Sequence, residues 1–418
     1  MKIVVVGGGS TYTPELIDGF ARLRDTLEVT EIVLLDPDVQ RRELLAAMAD
    51  RMLDRAGHPA KVVPGDDVAA AADGATAVLF QLRVGGQAAR ARDETWPLEC
   101  GCVGQETTGA GGFAKALRTV PVVLELAEQI RAVAPEAWLV DFTNPVGIVT
   151  RALLQEGHRA LGLCNVAIGF QRFFAELLEV TPERVSLGHV GLNHLTWERS
   201  VHVDGRDVLP ELFSSDLDRL AALVRQPREL ITLLRALPSY YLRYFYEHDV
   251  VVDEQRHAPS RASEVAAMER QLLELYADPS VDTKPALLEQ RGGAFYSEAA
   301  VALVASLVAD RGDVQVVNVR NDGTLPFLPD DMTIEVPAVI GAHGARPLPV
   351  SPVEPGLAGL VAGVAGYEQL ALDAALRGGR DRVVAALLAH PLVGQWDVAN
   401  RLADRLIAEN AAYLAWAQ

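Results

Sequence analysis

The sequence predicts an α/β fold in which a doubly wound, mainly parallel sheet is followed by a second, mainly helical α+β domain. In the first half of the chain, short apolar runs alternate with helical patterns. This alternation is typical of a parallel sheet whose two faces are covered by helices. From about residue 185 the pattern changes to a segment that looks antiparallel, at 185–204, and then to long helical stretches. We therefore expect a first domain at 1–165 and a second at 166–418.

Five apolar runs in the first half are predicted strands of the parallel sheet. They lie at residues 3–6, 32–35, 77–82, 138–142 and 161–163. Helical patterns such as 41–55 and 120–134 lie between them, and the second half has predicted strands at 314–319 and 332–336. Ligands of open parallel sheets bind beyond the carboxyl ends of the strands, so the residues directly after each strand form the candidate site.

The bulk composition favours a soluble cytoplasmic protein whose partners are neither nucleic acids nor membranes. The 418 residues carry a formal net charge of −18, whereas binding to a phosphate backbone depends on clustered Lys and Arg. Three cysteines, an odd and low number, do not predict a disulfide framework and suit a reducing cytoplasm. No run approaches the roughly 20 apolar residues of a membrane-spanning helix. A few local arginines would still suffice to bind a small anionic substrate.

A glycine-rich turn directly after the first predicted strand indicates a Rossmann-like nucleotide site. Its residues are Gly7, Gly8, Gly9, Ser10 and Thr11. Glycines allow a tight turn and let a pyrophosphate approach the backbone amides. Pro14 suits the first helical position, and Thr13 is the predicted cap of a helix whose amino end faces the phosphates. Tyr12 stands where the usual pattern has its third glycine, so an ordinary tight turn remains the alternative.

Asp36 ends the second predicted strand, where a carboxylate can bind the ribose hydroxyls of NAD. The same carboxylate would repel the 2′-phosphate of NADP. Arg41 and Arg42 follow within a helical pattern and are expected to face solvent. The predicted cofactor is therefore NAD.

Two further polar segments are candidates for ligand contacts. Residues 104–112 are dense in glycine and polar side chains, and such a segment can bring backbone close to a ligand. Asn144 follows the strand at 138–142, where its amide could bind sugar hydroxyls. A flexible surface loop and a simple turn are the respective alternatives.

Cys164 ends another predicted strand, and His194 follows about thirty residues later. A thiolate and an imidazole are good ligands for a divalent transition metal, and two ligands would leave positions open for substrate oxygens. The pair has no spacing signature, so on the pattern alone we favour a buried cysteine and a core histidine. Cys100 and Cys102 are interpreted as buried or incidental.

An aromatic run at 240–246 is predicted to lie on a helix, and most such runs belong to the core. One of its tyrosines could act as a base if a metal or an arginine lowered its pKa from about 10. Arg83 and Arg261 are isolated cations near polar segments. Each could bind a phosphate or form a surface ion pair.

Taken together, eight segments resemble glycoside hydrolase family 4, in particular its 6-phospho-β-glucosidases. They are GGGSTYTPEL at 7–16, GQETTGAGGF at 104–113, DFTNP at 141–145, GLCNV at 162–166, GLNHL at 191–195, YLRY at 241–244, RGGAFYS at 291–297 and LPDD at 328–331. They occur in the family's order over nearly the whole chain, and the first accounts for Tyr12. The family is an NAD-dependent exception to glycoside hydrolysis by two carboxylates. The resemblance also implies a sheet of the lactate and malate dehydrogenase type.

The resemblance implies a role for individual residues. Cys164 and His194 would hold a divalent metal, usually manganese in this family, and Tyr241 would be the base that removes the C2 proton of the sugar. The residues that would contact the substrate are Asn144, Asn165, Arg90 and Arg261, the last of them near the 6-phosphate. Homo-oligomers, dimers or tetramers, are expected.

The implied reaction is hydrolysis of a 6-phospho-β-glucoside, such as phosphorylated cellobiose. It proceeds by NAD-mediated oxidation at C3, deprotonation at C2, elimination, addition of water and reduction, with no net consumption of NAD. Three alternatives remain open: the same family acting on an α-linked or non-phosphorylated glycoside, an NAD-dependent 2-hydroxy acid dehydrogenase, and a non-catalytic sensor of NAD or sugar phosphates.

Overall fold

The structure is a computed structural model that describes residues 1–293 and 295–417. Strands and helices alternate in its first half, as the apolar runs predict. The strands are β1 (Lys2–Val6), β2 (Glu31–Leu35), β3 (Lys61–Gly65), β4 (Ala75–Phe80), β5 (Trp138–Asp141) and β6 (Ala160–Gly162). The helices are α1 (Thr13–Arg22), α2 (Val39–Ala56), α3 (Val68–Ala72), α4 (Gly86–Glu99), α5 (Gly109–Val133), α6 (Val146–Gln155) and α7 (Asn165–Leu177).

These six strands form a parallel sheet in the order β3-β2-β1-β4-β5-β6. The order reverses direction at β1, where Val4 pairs with Val33 of β2 on one side and with Val78 of β4 on the other. A ligand crevice is expected outside the carboxyl ends of strands at such a reversal. The doubly wound sheet is therefore confirmed. The sequence did not predict β3, an edge strand that is partly exposed and contains Pro64.

The second half begins with antiparallel strands, continues with helices and returns to the sheet. Its strands are β7 (Val185–Leu192), β8 (Leu195–Val203), β9 (Arg206–Asp207), β10 (Leu237–Pro238), β11 (Asp313–Arg320), β12 (Thr333–Gly341) and β13 (Gly344–Pro347). Its helices are α8 (Leu209–Ser215), α9 (Leu217–Val224), α10 (Arg228–Leu234), α11 (Arg243–Tyr246), α12 (His248–His257), α13 (Arg261–Ala277), α14 (Tyr296–Ala309), α15 (Pro355–Arg377), α16 (Arg380–Ala389) and α17 (Trp396–Asn410). The mainly helical α+β character of this half is confirmed.

One sheet runs through both halves of the chain. β11 pairs antiparallel with β6 through Asn318 and Gly162, and β12 joins β11 to β7. The predicted boundary at residue 165 falls inside this sheet, and the division into two domains stays a prediction. In the part of the chain that the structure describes, no helix is long and apolar enough to cross a membrane.

Candidate active site

A cleft of about 1590 Å³ lies at the carboxyl ends of β1, β2 and β4. Its lining also includes residues from the segments at 104–107, 240–244 and 291–296. Drug-sized ligands occupy pockets of roughly 300–1,000 Å³, so this cleft has room for a dinucleotide and a sugar side by side.

The glycine turn forms one wall of the cleft, and two of its glycines are required by close packing. Gly7 has φ +86°, and a methyl group on it would lie 2.8 Å from Cα of Leu82. A methyl group on Gly9 would lie 2.8 Å from Cγ of Asp36. Both positions keep the backbone open to the cleft, as an approaching pyrophosphate requires.

Four of the six predicted nucleotide-binding residues line the cleft, namely Gly7, Gly9, Ser10 and Asp36. The other two, Gly8 and Thr11, do not line the cleft. A methyl group on Gly8 would meet Cβ of Leu34 at 2.7 Å, and the buried Thr11 hydroxyl donates to Glu269 at 3.0 Å. Gly8 and Thr11 therefore shape the turn without facing the cleft.

The predicted cap of the first helix is wrong. α1 begins at Thr13 itself, with Tyr12 in the capping position. The Thr13 hydroxyl donates instead to the carbonyl of Gly8 at 2.8 Å, a hydrogen bond that stabilises the glycine turn. Tyr12 packs edge-on against Tyr296, with ring centroids 6.3 Å apart, and this contact fills the position of the usual third glycine.

Asp36 holds the turn as well as facing the cleft. Its carboxylate accepts from the backbone N–H of Gly9 at 3.0 Å and from that of Asp38 at 2.9 Å. The expectation that Arg41 and Arg42 face solvent is wrong, because α2 begins at Val39 and its first turn folds back onto the turn after β1. Arg41 donates to the Gly9 carbonyl at 2.8 Å, and the buried Arg42 donates to the Asp36 carbonyl at 3.1 Å.

The glycines of 104–112 do not form a flexible surface loop. α5 begins at Gly109, and Gly111 is packed so tightly that a methyl group would lie 2.3 Å from the carbonyl oxygen of Gln105 and 2.4 Å from that of Asp93. The preceding residues, 104–107, line the cleft.

A buried cluster of charges stands at the floor of the cleft around Glu106. This carboxylate accepts a hydrogen bond from Lys115 at 2.8 Å and lies 3.1 Å from Nε of Arg90. Both terminal nitrogens of Arg83 also donate hydrogen bonds to it. Burial opposes its ionisation, but attraction to Arg83, Lys115 and Arg90 outweighs burial and holds the pKa of Glu106 well below its ordinary value. Arg90 also binds Glu94 at 2.7 Å. The predicted alternative of a surface ion pair for Arg83 is therefore wrong.

Cys164 lies at the end of β6, and its thiol is buried at the first turn of α7. The backbone N–H groups of Asn165 and Val166 and the side-chain amide of Asn193 donate to its sulfur. Burial, reinforced by the charge of Glu335, raises the pKa of the Cys164 thiol well above its ordinary value. Three donors around one sulfur suit a thiolate, and a cation beside it would compensate that charge.

His194 occupies the two-residue turn between β7 and β8, with a left-handed φ of +62°. Such a conformation is strained for a non-glycine residue and is often found at functional sites. The ring is buried, and burial lowers the pKa of His194 to about 4. Among the described residues, none hydrogen-bonds to its Nδ1. His194 is thus neutral near pH 7, the form of imidazole that binds metals.

Tyr241 lies directly on His194, and the two rings stack with centroids 3.6 Å apart and planes 10° apart. Burial and the nearby Cys164 raise the pKa of Tyr241 well above its ordinary value. A cation beside the three side chains would favour both the thiolate and the phenolate. The predicted helix at 240–246 is a 3-10 turn at Tyr240–Leu242 followed by the short α11.

Thiol, imidazole and phenol together fit a divalent transition metal bound by two protein ligands. Within residues 1–293 and 295–417, no cluster of three or more His, Cys, Asp or Glu side chains is placed to hold a metal. A cation at Cys164 and His194 would therefore keep positions for ligand oxygens. Asn144 offers a further contact, since its Oδ1 is buried without a partner in the described part of the chain.

A buried network of hydrogen bonds lies next to Cys164, and the sequence did not predict it. Asn193 donates to Glu335 at 3.0 Å, and Glu335 lies 3.0 Å from His189, which lies 2.6 Å from Glu198. Burial disfavours a charged His189, but attraction to Glu198 and Glu335 outweighs it and raises its pKa to about 10. Asn193 thus links Cys164 to an anionic network whose members lie up to 146 residues apart.

The predicted substrate contacts, Asn144, Asn165, Arg90 and Arg261, all line the cleft. Arg261 is half-exposed and bound to Glu264 and to the carbonyl of Gln290, both at 2.7 Å. Arg291 was missed: it lines the cleft, lies 3.2 Å from Glu269 and stands 5.7 Å above the ring of Tyr12. Its position in the RGGAFYS segment was the available signal. Cys102 is buried and Cys100 half-buried, as interpreted from the sequence.

A doubly wound sheet, a glycine turn followed by an acidic strand end, and a cleft at the reversal of strand order define a Rossmann-like enzyme. Two family profiles match the chain: "Family 4 glycosyl hydrolase" over residues 2–180, and its C-terminal domain over residues 189–393. The chain therefore belongs to glycosyl hydrolase family 4.

Individual relatives agree with this assignment. A Bacillus subtilis protein named probable 6-phospho-beta-glucosidase is 38% identical over 429 residues, which cover 99% of this chain and 97% of the relative. A structure of the 6-phospho-beta glucosidase from Thermotoga maritima, with manganese, NAD+ and glucose-6-phosphate, is 33% identical, with TM-score 0.92 and 99% of each chain covered. A lactate dehydrogenase from Cryptosporidium parvum has TM-score 0.56 and 17% identity, covering 89% of this chain and 98% of its own. This last likeness is one of fold alone.

Proposed function

We propose that this protein hydrolyses 6-phospho-β-glucosides, with NAD and a divalent metal, manganese in the first place, as cofactors. The reaction consists of oxidation at C3, deprotonation at C2, elimination of the C1 substituent, addition of water and reduction at C3. The observation that carries the proposal is the stack of Tyr241 on His194 beside the buried Cys164, next to a nucleotide-type cleft. Tyr241, the proposed base, lines the same cleft as the nucleotide turn and stacks on His194, one of the two proposed metal ligands.

The nucleotide would be bound by the glycine turn and Asp36. The amino end of α1 and the open backbone at Gly7 and Gly9 suit a pyrophosphate, and the Asp36 carboxylate suits ribose hydroxyls. Because Asp36 is anchored by the N–H groups of Gly9 and Asp38, its position is set before the nucleotide arrives. An unphosphorylated ribose, hence NAD, is the better match.

Cys164 and His194 would hold the metal, and Tyr241 would remove the C2 proton. When bound, NAD exchanges a hydride with C3 and the metal acts as a Lewis acid on the C3 oxygen. Tyr241 can serve as a base only as phenolate, and burial alone opposes that form. A cation held by Cys164 and His194 would offset this opposition, since Tyr241 stacks on His194. Metal binding would thereby favour the phenolate form of Tyr241.

The phosphorylated sugar would be held by Asn144, Asn165, Arg90 and Arg261. Asn144 brings an unsatisfied amide oxygen, as judged over the described residues, which suits a sugar hydroxyl. Arg90 belongs to a cluster in which Arg83, Arg90 and Lys115 outnumber Glu106 and Glu94. This local excess of positive charge suits a phosphate despite the acidic chain. Arg261 would exchange its contact with Glu264 for the 6-phosphate.

An assay series with purified protein tests the proposal. The substrates are 4-nitrophenyl 6-phospho-β-glucoside, its non-phosphorylated form and its α-anomer, each with and without NAD and Mn²⁺ under reducing conditions. We expect turnover of the first substrate only when both cofactors are present. Turnover that needs neither cofactor would reject the mechanism. Equal turnover of the non-phosphorylated compound would reject the phosphate contacts, and preference for the α-anomer would assign the chain to α-linked substrates.

We further propose that residues 1–165 form the nucleotide-binding domain and also supply Cys164 and three of the substrate contacts. Residues 166–418 complete the substrate and metal site with His194, Tyr241 and Arg261, and carry the surfaces of a cytoplasmic homo-dimer or homo-tetramer. The glycine turn in the first region, and the turn bearing His194 and the segment bearing Tyr241 in the second, support this arrangement. Light scattering on the eluting protein tests the assembly, since a monomeric mass would reject it.

A further inference from the structure

A second, small cavity of about 30 Å³ lies beside the turn that carries His194. Its lining includes Asn193, His194, Gly147, Tyr367, Glu368 and His390. A cavity of this size holds at least one water molecule, provided that polar groups are present to bind it. Thr107 lines both this cavity and the large cleft, whereas His194 lines this cavity alone of the two.

Two polar atoms in the lining of this cavity are buried without partners, as far as residues 1–293 and 295–417 are concerned. They are Nδ1 of His194 and Oε2 of Glu368. A buried polar atom without a hydrogen-bond partner is destabilising. Two such atoms around one water-sized space are therefore unfavourable unless a bound molecule bridges them.

Glu368 reaches this position from α15 because Gly147 makes room for it. A methyl group on Gly147 would lie 3.2 Å from Oε1 of Glu368 and 3.4 Å from Cβ of Asn193. A structural ion pair does not explain the carboxyl group, since Arg151, the cation whose charge acts on it, makes its salt bridge with Asp331 at 2.9 Å. Glu368 therefore lies against the Asn193–His194 turn for another reason.

The chemistry of a metal-binding histidine supplies the reason. A neutral imidazole that gives one nitrogen to a metal carries its proton on the other, and that N–H is held by a carboxylate or a water in most metal sites. We propose that Glu368 is a positioning residue for His194, acting through one ordered water molecule that accepts from Nδ1–H and donates to the Glu368 carboxyl oxygen. The inference rests on the proposed function, in which His194 binds the metal, and it assigns that bond to Nε2.

The test measures the Mn²⁺ dissociation constant of the full-length, metal-free chain by electron paramagnetic resonance. Glu368→Leu removes the acceptor, and we expect its Mn²⁺ affinity to fall about 10–100-fold. Glu368→Gln keeps a carbonyl oxygen at the same place and should restore the affinity to within about threefold. The visible spectrum of the Co²⁺-loaded chain should change in Glu368→Leu and return in Glu368→Gln. NAD affinity should be unchanged in both variants.

Gly147→Ala provides a second variant that keeps Glu368 but displaces its carboxyl group, and it should weaken Mn²⁺ binding. Its matched control is Gly366→Ala, on the same helix as Glu368, where an added methyl group meets nothing within 4 Å. If Glu368→Leu does not fold, this pair of glycine variants decides the question.

Cys164→Ser separates the two levels of the inference. If Cys164→Ser loses Mn²⁺ affinity while Glu368→Leu, or Gly147→Ala in its place, matches the wild type, the positioning role is overturned and the proposed metal site stands. If Cys164→Ser also binds Mn²⁺ like the wild type, both the positioning role and the proposed metal site are overturned.

Discussion

The ring of Tyr241 stacks on the imidazole of His194, with centroids 3.6 Å apart and planes inclined by 10°. This contact joins a residue of the turn between β7 and β8 to one of the segment after β10, and it places a phenol oxygen and an imidazole on the same side of the sheet end. In the proposed function, a cation held by His194 would therefore lie close enough to Tyr241 to favour its phenolate form.

Tyr241→Phe keeps the stacked ring and removes only the hydroxyl. We expect kcat to fall about 10²–10⁴-fold, the usual contribution of a general base. NAD affinity, measured by calorimetry, should be retained. Tyr244→Phe is the control: Tyr244 lies 6.2 Å from Tyr241 between ring centroids, and its hydroxyl binds Gln105 instead. Loss of NAD binding in Tyr241→Phe would assign the residue a structural role.

Gly9→Ala should impair nucleotide binding without unfolding the protein. The added methyl group would lie 2.8 Å from Cγ of Asp36, so the carboxylate or the turn must move. We expect NAD affinity to fall by about tenfold or more, the equivalent of one charge-assisted hydrogen bond. Gly359→Ala, where the methyl group meets nothing within 4 Å, should bind NAD normally. An unchanged dissociation constant in Gly9→Ala would place the nucleotide elsewhere.

Protonation of the buried His390 should account for part of the loss of folding stability at acid pH. The ring is buried against Tyr367, its Nδ1 accepts from the N–H of Leu392 at 3.0 Å, and burial lowers the pKa of His390 to about 3. In the unfolded chain histidine titrates near 6.5, so protonation favours unfolding. Its contribution to stability is complete above about pH 6.5 and is lost as the pH falls toward about 3, at about 1.4 kcal/mol per pH unit.

The corresponding variant is His390→Asn, whose side-chain oxygen can take the place of Nδ1. Urea unfolding of the metal-free protein between pH 6 and 4 should show a free energy that depends less steeply on pH, by about 1.4 kcal/mol per unit. The exposed His257 provides the control, because His257→Asn should leave the slope as it is. An unaltered slope in His390→Asn would mean that the buried ring is not the titrating group.

The ion pair between Asp93 and Arg118 should be important for stability. Both side chains are 1% exposed, and the two contacts between them measure 2.5 and 3.0 Å. Arg118→Met leaves a buried carboxylate without its cation and should cost about 3–5 kcal/mol in the free energy of unfolding. Arg405→Met breaks surface pairs with Glu99 and Glu409 and should cost less than about 1 kcal/mol. Equal losses in denaturant unfolding would contradict this ranking.

The features that the sequence predicts correctly are local ones. The glycine turn and Asp36 lie within 30 residues of each other, and each follows a continuous apolar strand. β3 escaped prediction because it is half-exposed and interrupted by Pro64. Arg41 and Arg42 were misplaced because helical spacing alone does not show that the first turn of α2 folds back onto the strand ends.

The sequence alone predicts only some of the residues in the candidate active site. Cys164 and His194 carry no spacing signature, and only the family segments around them indicate a metal site. Glu335 and Glu368 lie far along the chain from the residues that they support, and neither stands in a motif. Burial and long-range pairing made them visible, and these are properties of the folded chain.

In the proposed reaction the glycosidic bond is cleaved after the C2 proton has been removed, so the C2 position of the product should carry hydrogen from the solvent. The wild-type enzyme with NAD and Mn²⁺ is given 6-phospho-β-glucoside in ²H₂O, and the released sugar phosphate is trapped at once and examined by mass spectrometry and proton NMR. We expect one deuterium at C2 of the product. A product that keeps its original C2 proton through complete turnover would contradict it.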